Sequence, residues 1–94
     1  MDKDEEATQA HVRRSGAEFI MADLELAFTF LDIANTSQVA DTACRNQENA
    51  RAAYDTVLRF LPRSLAALSV AERKSVRDKL AELKSRLGQL GEEF

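Results

Sequence analysis

Ala50, Tyr54, Val57 and Leu61 recur at steps of four, three and four within the run E-N-A-R-A-A-Y-D-T-V-L-R-F-L-P, residues 48–62. A helix of 3.6 residues per turn stacks such positions on one side and turns Arg51, Asp55 and Arg59 away from them. Pro62 lacks an N–H and disfavours the helical conformation at Leu61, so the helix is expected to end there. A helix with one apolar face needs partners, and the spacing elsewhere supplies one before it and one after it.

The earlier partner begins at Ser15-Gly16-Ala17-Glu18, which has the form of a capping box: the serine oxygen accepts from a first-turn N–H and the glutamate reaches back to the serine N–H. In the following E-F-I-M-A-D-L-E-L-A-F-T-F-L-D-I-A, one face holds Ile20, Leu24, Ala27, Leu31 and Ala34. A neighbouring face holds Phe19, Leu26, Phe30 and Ile33. A surface helix typically hides a single stripe, so this one is expected to touch two helices, a partner molecule, or both. Asp23 falls inside the apolar arc, where a carboxylate is costly unless it stays partly exposed at a seam or meets an arginine of another helix.

Asn35-Thr36-Ser37 breaks the pattern, with Asn35 suited to a left-handed helix end and Thr36 or Ser37 suited to cap the second helix. That helix carries its stripe through Ala40, Ala43 and Gln47 to Ala50, and Cys44 beside it reads as a small packing residue. After Pro62, R-S-L-A-A-L is a short connection with enough apolar character to pack across the bundle end. Ser69-Val70-Ala71-Glu72 is a second capping box, opening a helix whose Val76, Leu80, Leu83, Leu87 and Leu90 alternate four-three-four-three. Gly88 and Gly91 mark its end. The expected fold is an all-α antiparallel three-helix bundle with helices at about 15–34, 38–61 and 69–90. Residues 1–14, with a solvent-facing His11, read as a mobile polar tail, with extension of the first helix back to about Ala7 as the alternative, and 92–94 read as a C-terminal tail.

At 94 residues the chain is one domain. Its lone cysteine allows no internal disulfide, its start lacks a secretory pattern, and no apolar run approaches the roughly 20 residues that span a bilayer; these features point to the cytoplasm. One histidine, one cysteine and three scattered glycines leave no phosphate-binding loop, metal set or nucleophile–base pair. No catalytic, cofactor-binding or metal-ligating residue is therefore assigned, no small-molecule substrate is evident, and the chain reads as a non-enzyme without cofactor.

The function that remains is a small protein–protein interaction module. It would bind a protein partner or a second copy, as a homodimer, through Phe19, Leu26, Phe30 and Ile33, or accept an amphipathic helix in a groove. The charge is uneven: residues 1–36 hold three basic and eight acidic side chains, and residues 69–90 hold six and three. The alternative reading is a nucleic-acid-associated regulator using Arg73, Lys74, Arg77 and Lys84. Glu72, Asp78 and Glu82 interrupt that face, and it lacks aromatics for base stacking.

Ala50, Tyr54 and Pro62 also stand at the small, aromatic and terminating positions of the second helix of a tetratricopeptide repeat, with Val57 in place of the usual alanine. Helix 2 thus resembles that family of protein-binding helix–turn–helix units, although neither the preceding helix nor a second copy carries its motif. The length and three-helix order are similar to the microtubule-interacting and trafficking domain. Both likenesses imply a helical fold and a binding role, and the second implies partner helices held in grooves.

Overall fold

In the computed structural model the backbone is described for residues 3–94 and side chains from Gly16 onward. Three helices, α1 (Lys3–Thr36), α2 (Ala40–Ser64) and α3 (Val70–Gln89), run up, down and up, with one 3₁₀ turn over Leu65–Ala67 between the last two. No strand occurs among the described residues. α1 and α2 form the principal pair, and α3 lies against both with fewer contacts. The protein is an all-α antiparallel three-helix bundle.

Its interior is the set of faces that the helical spacing selects. Ala17, Ile20, Leu24, Ala27 and Leu31 of α1 meet Ala50, Ala53, Tyr54 and Val57 of α2 and Val76, Leu80, Leu83 and Leu87 of α3, all buried. Leu68, also buried, closes the end where the α2–α3 connection crosses. Gly16 is a point of close approach between α1 and the end of α2: a Cβ there would lie 3.2 Å from Ser64 Oγ. Along α2 the packing loosens toward its start, where Ala40 and Cys44 are exposed and Ala43 is half-buried. Cys44 is therefore not the packing residue its position suggested.

The helix ends differ from the sequence expectation in four places. α1 begins at Lys3 rather than Ser15 and runs through Ser15 and Gly16 without interruption. Glutamate, alanine, glutamine and arginine dominate residues 5–14, and their helix propensity lets the preceding stretch extend the helix. The expected mobility of residues 1–14 and the exposure of His11 concern side chains outside the described residues. Asn35 stays inside α1, and no non-glycine residue described has a positive φ, so it makes no left-handed cap.

α2 starts at Ala40 behind Val39, whose side chain offers no cap. Thr36 Oγ1 instead donates back to Asp32 C=O at 2.8 Å, and Ser37 Oγ accepts from Val39 N–H at 3.2 Å. Pro62 lies inside α2, which continues to Ser64. The lost N–H to Leu58 C=O and the crowding of that carbonyl by the ring fall on the final turn alone, and the helix gives way to the 3₁₀ turn two residues later. The Ser69 capping box forms as read: Glu72 N–H donates to Ser69 Oγ at 3.1 Å and Ser69 N–H to Glu72 Oε1 at 3.0 Å.

Candidate interaction surfaces

Two parts of the surface combine apolar side chains with a defined shape. The first lies on α1. Phe19, Leu26 and Ile33 are 46, 46 and 41 % exposed, while Phe30, on the same side, is half-buried and packs against the core. Phe60 of α2 meets Phe19 edge to face, ring centroids 5.9 Å apart, and is itself exposed. α1 has only one core stripe to give, centred on Ile20, Leu24, Ala27 and Leu31; two neighbouring helices cover that stripe and leave the adjacent one in water. The sequence reading placed Phe30 with the outward set, whereas its angle brings it close enough to the core to be half covered.

Asp23 sits between Phe19 and Leu26 on the border of this face, and burial raises its carboxyl above the usual carboxylate range. No hydrogen bond or ion pair joins it to a described residue, so the arginine partner considered for it is not there. Arg51, Arg73 and Arg86 are engaged elsewhere. Arg86 Nη2 pairs with Asp32 Oδ1 at 3.0 Å on the opposite flank of α1, its guanidinium 5.7 Å from the centre of the Phe28 ring.

The second surface is the cleft between α2 and α3. At one end Leu61, Leu65, Arg73, Val76, Arg77 and Leu80 line a groove of about 330 Å³. Arg73 Nε donates to Leu65 C=O at 3.0 Å, tying the start of α3 to the 3₁₀ turn. At the other end the chain turns back on itself. Gly91, at φ +98°, lets its own N–H reach Gly88 C=O and the Glu92 N–H reach Leu87 C=O, each at 3.0 Å. This pair of bonds is the Schellman arrangement, and it sends residues 92–94 back toward α2.

There Arg51 holds the returning segment. Its Nη1 donates to Glu93 C=O at 2.7 Å and stands 3.8 Å from Glu92 Oε1, while its Nε bonds both carboxylate oxygens of Asp55 at 3.1 Å. The Phe94 ring rests edge-on against Tyr54 at 5.2 Å, with the Arg51 guanidinium 4.2 Å and Lys84 Nζ 5.5 Å from its centre. Nothing in the three residues E-E-F announced this seat, because it depends on the turn at Gly91 and on residues about forty positions earlier.

The four basic residues picked from the sequence do not act alike. Arg73, Arg77 and Lys84 face the α2–α3 cleft, whereas Lys74 stands about 100° around the helix from Arg73. Among the described residues no group of His, Cys, Asp and Glu could hold a metal ion, and no helix is long and apolar enough to cross a membrane. No protein family, curated protein or solved structure matches the chain.

Proposed function

We propose that the protein is a small non-catalytic interaction module that self-associates through the outward face of α1. The observation that carries this reading is one line of residues. Phe19, Asp23, Leu26, Phe30 and Ile33 are spaced four, three, four and three, the spacing at which two helices interlock side chains along a seam. Three of the four apolar members are exposed, and Phe60 widens the patch. Asp23 stands at one seam position, and a polar residue in such a place fixes register at some loss of stability. The likeness of residues 50–62 to a tetratricopeptide helix supports a binding role, and the single cysteine, which allows no internal disulfide, supports a cytoplasmic setting.

The patch extends over about 21 Å of helix, shorter than a standard dimer interface requires, so the dimer should dissociate on the order of micromolar concentration. Light scattering over a wide concentration range tests it. Mass should rise toward that of a dimer, and Phe19→Glu or Ile33→Glu should return it to the monomer with helicity intact. A strict monomer throughout removes the proposal. No placement of Arg73, Lys74, Arg77 or Lys84 favours nucleic acid over a protein partner.

A further inference from the structure

The two ends of the α2–α3 cleft lie along one pair of facing residue rows, which together outline a channel. Tyr54, Leu58 and Leu61 of α2 and Leu65 of the 3₁₀ turn are spaced four, three and four; on α3 Arg73, Arg77, Leu80 and Lys84 have the same spacing. The helices are antiparallel, so the rows face each other from end to end: Arg73 bonds Leu65 at one end, and Phe94 lies between Tyr54 and Lys84 at the other. Leu58 of α2 and Leu65 of the 3₁₀ turn, 44 and 41 % exposed, form the apolar lip on that side. The α3 lip is cationic. Asp78 and Glu82 do not neutralise it, because they lie about 140° and 180° around the helix from Arg73. Arg77 is exposed and makes no hydrogen bond or ion pair with a described residue.

We infer that this channel receives a short extended segment of a partner protein, acidic and carrying one large apolar side chain, and that the chain's own Glu92–Phe94 occupies its adjoining end. The seated residues display the chemistry: a carboxylate near Arg51, a backbone carbonyl accepting from the same guanidinium, and an aromatic ring between a tyrosine and two cations. The open end also sets cations beside apolar side chains, with Leu61, Val76 and Leu80 lining the groove together with Arg73 and Arg77. Its volume of about 330 Å³ is at the low end of the range for ligand pockets, enough for a side chain or two rather than a docked helix. Apolar side chains beside guanidinium groups favour an acidic peptide over a polynucleotide, which would bring phosphates but no greasy anchor. This surface is distinct from the α1 seam and does not depend on it.

Fluorescence anisotropy with a labelled synthetic peptide of glutamate pairs alternating with single phenylalanines tests the inference. The full chain should bind it, less tightly as salt is added, and a version with lysine for every glutamate should not bind. Arg77→Glu should weaken binding by about tenfold without changing the melting temperature. Leu58→Glu, at an exposed position on the other lip, should weaken it independently. Phe94→Ala should bind more tightly than the wild type, because the neighbouring seat is vacated. Absence of binding at low salt by both wild type and Phe94→Ala overturns the inference. So does equal binding by folded Arg77→Glu and Leu58→Glu, or no gain from Phe94→Ala. Preferential binding of a single-stranded oligonucleotide, or a wild-type dimer that Arg77→Glu dissolves, would assign the channel to nucleic acid or to a second copy and would equally overturn it.

Discussion

Asp23 carries a carboxylate in a part of α1 that is otherwise apolar, and no cation among the described residues compensates it. Burial raises its pKa, so the folded chain holds that proton more tightly than the unfolded chain. The stability contributed by the protonated form is present below the unfolded value of about 3.9 and is lost as pH rises through the folded value. Asp23→Asn, neutral at every pH, should therefore melt above the wild type at neutral pH, and the gap should close in acid. Thermal melts between about pH 3 and pH 7 check this, and a gap independent of pH would show that charge is not the cause. Leu24, by contrast, is fully buried in the core. Leu24→Ala should cost about 2–5 kcal/mol in urea unfolding, since the surrounding helices cannot close fully on the space left.

At the scale of the element, the helix boundaries carry separable energies. Ser69 makes both bonds of the α3 capping box, so Ser69→Ala should lower stability by about 1 kcal/mol and fray the start of α3. At the other end Gly91 adopts a backbone conformation that a side chain disfavours. Gly91→Ala should destabilise the turn by about 1–2 kcal/mol and loosen Phe94 from Tyr54. Tyr54 is the only tyrosine and the chain has no tryptophan, so intrinsic fluorescence reads that loosening directly. Unchanged emission in Gly91→Ala would mean that the aromatic contact forms without the turn.

At the scale of the whole molecule, the two surfaces lie on different flanks of the bundle. The α1 seam borders the side of α2 that carries Phe60, and the channel borders the side that carries Leu58, roughly 160° away around α2. Phe19→Glu should therefore abolish self-association in light scattering while leaving the affinity for the acidic peptide within about twofold, as expected for sites without shared partners. A parallel loss of both would show that the dimer, rather than the single bundle, forms the channel.

The sequence by itself determined the three helices, their order and the apolar faces each can offer to a core, because three-four spacing of apolar residues is a local property that survives any arrangement of neighbours. Ile20, Leu24, Val57, Val76 and Leu83 could be placed in the core on that basis. The capping box at Ser69 was legible for the same reason, being a bond between residues three apart. The tertiary structure decided the rest. It chose which of the two apolar faces of α1 the other helices cover, since each has spacing able to pack. It let α1 run through Ser15 and Gly16, where the glycine gives α2 room at Ser64, and let α2 continue past Pro62 into a 3₁₀ turn. It also brought Phe94 to Arg51, Tyr54 and Lys84, a contact created by chain reversal and antiparallel packing that no local pattern records.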